Sequence, residues 1–184
     1  VSTTVEEHGG IDHLVTSAGG VPPGRFLDMA EDDWYDAFEL LVMSFVRTAT
    51  LAHPHLADSD AGTIVAITSA SVSEPIDNLV LSNSVRPAVH GLVKSMALEL
   101  APEIRVNSVL PSVLIEDVEA AVEDALADGE FDSREAVIDA WTAELPLQQV
   151  SDPARLGDMV AVLSSDRTNH TTGAAVPVDG GRIR

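Results

Sequence analysis

LSNSVRPAVHGLVKSMALEL (residues 81–100) reads as an amphipathic helix with Ser82 and Arg86 one turn apart at its start. The helical stretch runs over 79–101 and is closed by Pro102. Before it, TIVAITS (63–69) is an apolar run without polar alternation, as in a parallel strand covered on both faces. After it, IRVNSVLP (104–111) is another strand. Strand, helix, strand is a βαβ unit, which implies a parallel sheet with right-handed crossovers.

The pattern continues outward. VSTTVEEHGG (1–10) resembles the end of a helix closed by Gly9 and Gly10, so the chain is expected to begin within a domain. IDHLVTSAGG (11–20) is a short apolar run, read as a buried strand ending in a tight turn, and 31–56 is helical with acid in its first turn. DSDAG (58–62) is a turn. Residues 116–144 form an acidic helical region interrupted near Asp128-Gly129. Asp152 is an N-cap candidate with Pro153 at the first helical position of 152–166, and GAAVPVDGG (173–181) is a last strand and turn. The fold class is α/β, a doubly wound parallel sheet. Ligands in such sheets bind beyond the carboxyl ends of the strands. The turn Ser17-Ala18-Gly19-Gly20, the segment Ser69–Asp77 and the segment Pro111–Asp117 are therefore expected to converge on one site.

Composition narrows the function. The chain has 184 residues, enough for one domain with a real core, and no apolar run approaches a membrane span. It has no cysteine, which excludes disulfides and thiolate metal sites. Thirty acidic residues against ten basic ones give a net charge of −20, and Lys94 is the sole lysine. Such a surface repels phosphate backbones, so nucleic acid is not an expected partner. Self-repulsion of this size is best tolerated where salt screens it; at about 1 M the Debye length is roughly 3 Å. The expected location is a cytoplasm of high ionic strength. His53 and His55 flank Pro54 at a helix end, with no further metal ligands converging on them.

These loops also resemble the short-chain dehydrogenase/reductase family. LVTSAGG is similar to the family's Asn-Asn-Ala-Gly strand end, and IVAITSAS to the strand carrying its catalytic serine, which falls on Ser69. VRPAVHGLVKSMALELAPEIRVNSVLP resembles its active-site helix and following strand, and LPLQQVSDPARLGDMVAVLSSD with TGAAVPVDGG its C-terminal end. Within the family the likeness is to an atypical group near the β-ketoacyl-acyl-carrier-protein reductases. The resemblance implies a Rossmann-type sheet, NAD or NADP as cofactor, a small carbonyl or alcohol substrate, and pairing into dimers or tetramers through helices 31–56 and 79–101.

The departures are specific. No Gly-rich phosphate loop precedes a helix, so 1–184 is expected to be a single partial domain, the C-terminal part of the fold without its first βαβ units. Such a chain would bind dinucleotide poorly and leave a sheet edge exposed. The alignment places Ser82 at the family's catalytic tyrosine, Arg86 at its lysine, and its helical asparagine near Leu41. Ser69, Ser82 and Arg86 are the catalytic candidates. Ser17, Ala18, Gly19, Arg86, Pro111, Ser112 and Val113 are the cofactor-binding candidates. A tyrosine starts near pKa 10; a serine hydroxyl is far less acidic, and arginine remains protonated. The expectation is thus an oxidoreductase with an altered tetrad, or a non-catalytic cofactor-binding scaffold. Glu74 and Asp77 are alternative acids, which leaves a lyase or isomerase as a third reading. Eleven acids against Arg134 alone in 116–144, the place of the family's substrate lid, argue against anionic acyl carriers.

Overall fold

Four parallel strands line up in chain order. The computed structural model describes residues 1–112, 118–129 and 131–183. Strands β1 (His13–Ser17), β2 (Thr63–Ile67), β3 (Arg105–Pro111) and β4 (Ala175–Val178) form one sheet of order β1-β2-β3-β4. The register sets Ser17 beside Ile67 and Ile67 beside Val109, so the carboxyl ends of the first three strands finish near one level.

Side chains on β2 alternate between two cores. Ile64 and Ala66 join Val106 of β3 in a cluster with Phe45, Leu56, Leu81, Val85 and Val93. Those partners belong to helices α3 (Ser44–Ala57) and α4 (Val80–Glu99). Val65 and Val109 instead meet Leu156 and Leu163 of α7 (Pro153–Ser164). Helices thus cover both faces, the doubly wound arrangement of a partial Rossmann-type fold. This is why β2 reads as a continuous apolar run. Full burial of each such Leu or Ile contributes roughly 1.5–3 kcal/mol.

Strand β1 is different. It pairs with β2 alone among the described residues, alternates exposed and half-buried positions, and leaves Val15 45% exposed. Leu14 packs toward the α3–α4 core. Preceding it, α1 (Ser2–His8) ends at Gly9, which takes the left-handed conformation and donates its N–H to Val5 O. No α1 residue is buried.

The helical stretch from residue 31 is not uniform. Helix α2 (Glu31–Phe38) passes into one π-helical turn, Glu39–Met43, before α3 begins. The Ser44 N–H reaches back five residues to Glu39 O, and the Ser44 hydroxyl bonds Leu40 O. Such turns widen a helix locally and recur at functional sites. Helix α3 continues through Pro54 to Ala57. Beyond β3, α5 (Val118–Ala127) and α6 (Arg134–Thr142) are joined by a Glu119–Arg134 ion pair. Asp152 caps α7, accepting from Ala154 N, with Pro153 in the first turn.

Candidate active site

The carboxyl ends of β1, β2 and β3 do converge. A cavity of about 430 Å³ is lined by Ser17, Ala18, Gly20, Val21, Ile67, Thr68, Ser69, Leu79, Ser82, Arg86, Pro111 and Ser112. A second cavity, of about 350 Å³, lies on the other side of Arg86. It is bordered by Val15–Gly19, by Leu40, Leu41 and Ser44 of the π-helical turn and its exit, and by Phe45, Thr48 and Val89. Arg86 is common to both walls. Val113 lies outside the described residues, as does Asp117 at the end of the third segment.

Backbone bonds hold the rim in place. Asn83 of α4 accepts from Ile76 N (3.0 Å) and donates to Ile76 O (2.8 Å), fastening the loop after β2 to the helix. Gly24 N donates to Asn78 O (2.6 Å), and Val80 N to Gly24 O (3.2 Å), so the loop after β1 is tied to the start of α4. Asn78 has φ 59°, a conformation that asparagine tolerates better than most residues.

Inside this frame runs a chain of polar contacts. Ser69 accepts from Ser71 N (3.1 Å) and so caps the short 3₁₀ turn Ala70–Val72. That turn brings the buried Ser71 hydroxyl to 3.0 Å from the Ser82 hydroxyl, itself buried. Arg86 Nε donates to Ser82 Oγ (3.1 Å). Its terminal nitrogens donate to Thr68 O (3.1 Å) and Gly19 O (3.2 Å), tying together the ends of β2 and β1. Ser82 sits in the first turn of α4 yet caps no backbone N–H; its hydroxyl serves this cluster instead. Because Ser82 Oγ already accepts from a guanidinium, its own proton is free for Ser71 or a ligand.

Burial pushes the Arg86 guanidinium below its ordinary pKa, and no neighbouring charge contributes to the shift. It remains protonated. No carboxylate among the described residues pairs with it. Glu74 and Asp77 border neither cavity, which removes the geometric support for a carboxyl acid there. Among the described residues no cluster of three or more histidines and acids is arranged to hold a metal. No described helix is long and apolar enough to cross a membrane.

Ser71 was not among the expected site residues. The signal was the Ser69-Ala70-Ser71 spacing, which one 3₁₀ turn converts into a second hydroxyl facing α4. The π-helical turn around Leu41 carried no compositional mark.

Residues 1–182 match the family model described as enoyl-(acyl carrier protein) reductase. The chain belongs to the short-chain dehydrogenase/reductase family. It is 30% identical to oxidoreductase UcpA of Salmonella typhimurium over 186 residues, covering 98% of this chain and 68% of that protein. It is 32% identical to the L-rhamnose 1-dehydrogenase (NAD(P)(+)) of Sphingomonas sp. over 183 residues, with the same coverage. Among solved structures, the ligand-free aldohexose dehydrogenase of Thermoplasma acidophilum superposes with a TM-score of 0.88 at 31% identity, over all of this chain and 72% of that one. L-Sorbose reductase of Gluconobacter frateurii, complexed with NADPH and L-sorbose, gives 0.91 at 26% identity, over all of this chain and 70% of that one. This short-chain dehydrogenase/reductase thus spans about two thirds of the length of the relatives it matches.

Proposed function

We propose that the protein is an NAD(P)-dependent oxidoreductase interconverting a small carbonyl compound and its alcohol, with Ser82 and Arg86 where family members carry tyrosine and lysine. The observation that carries this reading is the Arg86 Nε–H to Ser82 Oγ bond at the wall of a cavity formed by the strand ends. Three of the four named relatives carry a sugar in their names, and one of them binds NADPH. A 3-oxoacyl-carrier reductase rests on resemblance alone, and the acids of 116–144 argue against an anionic carrier. Association through α3 and α4 is part of the same reading, since Val46, Ala49, Leu92, Met96 and Leu100 border an apolar groove between them.

The residues present suit the reactive end of a dinucleotide. Ser17, Ala18, Gly19, Pro111 and Ser112 would border its nicotinamide and ribose, and no carboxylate is among the described residues that line the crevice. When bound, the cofactor supplies hydride to the carbonyl carbon. The carbonyl oxygen then gains negative charge and needs a proton. Ser82 Oγ–H donates that proton, and the Arg86 Nε–H holds the charge left on Ser82 Oγ. Solvent entering the crevice after product release restores the proton to Ser82, whose oxygen the Ser71 hydroxyl holds from 3.0 Å. Ser69 keeps one hydroxyl proton for the substrate oxygen while its lone pair caps Ser71 N.

The competing reading is a non-catalytic cofactor-binding relative, because serine is a weak acid even beside a guanidinium. The separating experiment supplies NADH or NADPH with neutral ketones, ketoses and 3-oxoacyl thioesters at high salt. Turnover lost in Ser82→Ala supports the enzyme. Tight cofactor binding with no turnover, and turnover gained in the Ser82→Tyr/Arg86→Lys double variant, supports the scaffold.

A further inference from the structure

From two buried hydroxyls 3.0 Å apart and the guanidinium beside them, we infer that Ser71 is a positioning residue: its hydroxyl donates to Ser82 Oγ and so turns the Ser82 proton into the crevice. This rests on the oxidoreductase reading above and adds to it a residue that acts only through Ser82.

The bonding capacity of the Ser82 oxygen carries the argument. A serine hydroxyl has one proton and two lone pairs. Arg86 Nε–H can only donate, and it fills one lone pair of Ser82 Oγ at 3.1 Å. The contact with Ser71 Oγ then has two arrangements. If Ser82 donates, its proton points at Ser71 and does not meet a carbonyl in the crevice. If Ser71 donates, both lone pairs of Ser82 are filled, and its proton takes the one remaining direction. Ser82 borders the crevice, whereas Ser71 is not among its described lining residues, so the remaining direction is the one left for a ligand.

Proton transfer selects the second arrangement. On reduction the carbonyl carbon takes hydride from the cofactor, its oxygen takes the Ser82 proton, and solvent later restores that proton. In between, Ser82 Oγ is an alkoxide and can only accept. Arg86 and Ser71 are its two hydrogen-bond partners among the described residues. Donation from both stabilises the charged form, and bonds to a charged acceptor are the stronger ones. The local fold holds this donor still. Ser69 Oγ accepts from Ser71 N (3.1 Å), and Val72 N donates to Ser69 O (3.1 Å), which fixes the 3₁₀ turn. Ser71 is 2% exposed, and Ser82 is the one partner of its hydroxyl among the described residues.

Two measurements test this. The first is turnover of neutral ketones with NADH or NADPH. Ser71→Ala should lower kcat about 10-fold, the scale of one charge-assisted hydrogen bond, with KM unchanged within about twofold. Ser71→Thr keeps the hydroxyl and should retain most of the rate; Ser71→Val, its match in size, should not. The second measurement needs no turnover. The chain has no cysteine, so Ser82→Cys introduces a single thiol. Its pKa, read from the pH dependence of alkylation by iodoacetamide, should lie below the ordinary value of about 8.5. Adding Ser71→Ala or Ser71→Val should raise it by about one unit, and adding Ser71→Thr should leave it in place. A role in packing alone would lower the thermal midpoint of Ser71→Ala without moving the thiol. A thiol pKa indifferent to the Ser71 hydroxyl therefore overturns the positioning inference, while turnover by the unaltered protein keeps the oxidoreductase reading standing. A thiol that responds to Ser71, in a protein whose unaltered form turns over no carbonyl, overturns the oxidoreductase reading and supports Ser71 as the donor to Ser82.

Discussion

Arg86 and Arg105 sit at opposite ends of the sheet and do outwardly similar things. Both are partly buried, both are held below their ordinary pKa chiefly by that burial, and both donate to backbone carbonyls. Arg105, at the start of β3, donates to Leu163 O (3.0 Å), Ser165 O (3.2 Å), Thr171 O (3.3 Å) and the Thr168 hydroxyl (3.4 Å). It staples the segment between α7 and β4, and Asp166 offsets part of its burial. Arg86, at the far end, ties the ends of β1 and β2, touches a buried hydroxyl and borders two cavities with no such acid among their described lining residues. One guanidinium is surrounded by its own chain; the other is left open to a ligand. The difference follows from the parallel sheet, whose carboxyl ends face the crevice.

The largest effect that would break this contrast is at Ser82. Ser82→Ala removes the proton donor, and kcat should fall by about 10²–10⁴-fold, the usual scale for a general acid. The thermal midpoint should fall by only a few degrees, because leaving the buried Ser71 hydroxyl without its partner costs about 1–2 kcal/mol. A midpoint drop as large as the activity loss would make Ser82 structural and would put Arg86 in the same class as Arg105.

Next comes Arg105→Met. Its four polar contacts are partly solvent-screened, so the loss should be about 2 kcal/mol of stability. For a chain of this size that is roughly 4–8 °C in midpoint. Specific activity of the folded fraction should be unchanged within about twofold. Chemical denaturation and steady-state rates on one preparation check both halves.

How much of this was legible beforehand divides along the same line. The strand ends Ser17, Ser69 and Pro111 could be gathered from alternation alone, because βαβ topology leaves little choice about where parallel strands finish. Ser82 and Arg86 became site candidates through the family resemblance of their segment rather than through local pattern, and both line the crevice. Three features were not legible. An exposed sheet edge was expected from the missing first βαβ units, but the apolar run of β1 alone reads as buried, and its half-exposure is a tertiary property rather than a local one. Ser71 needed the 3₁₀ turn that swings its hydroxyl to Ser82. The acids Glu74 and Asp77 looked well placed in sequence, but the Asn83 clamp on Ile76 holds their loop so that neither borders a cavity. Local pattern reports strand direction and burial; it does not report which way a loop is pulled.

Salt should act with opposite sign on the two environments. With a net charge of −20, raising KCl screens self-repulsion across the acidic surface, so the midpoint should climb by several degrees. Around Arg86 the same salt supplies chloride, so KM for the anionic dinucleotide should rise while kcat stays flat. A midpoint independent of KCl would remove the argument for adaptation to high ionic strength. A KM independent of KCl would mean that chloride does not reach Arg86.

The smallest effect lies on α4 itself, one turn beyond Arg86. His90 is half-buried, its Nδ1 lacks a hydrogen-bond partner, and burial, followed by the nearby Lys94, holds its pKa below 6.5. Burial lowers Arg86 as well, but an arginine starts so high that it stays charged, whereas His90 becomes neutral. The unfolded chain therefore binds a proton that the folded chain does not, between the lowered folded value and 6.5. Stability should rise with pH through that window and level off above 6.5; on acidification it is lost as pH falls through the same window. His90→Gln should flatten that segment of the midpoint-against-pH curve while leaving the acid side, governed by carboxylates, unchanged. If the segment persists in His90→Gln, the proton is taken up elsewhere, and α4 carries a pH-insensitive guanidinium beside a pH-insensitive histidine.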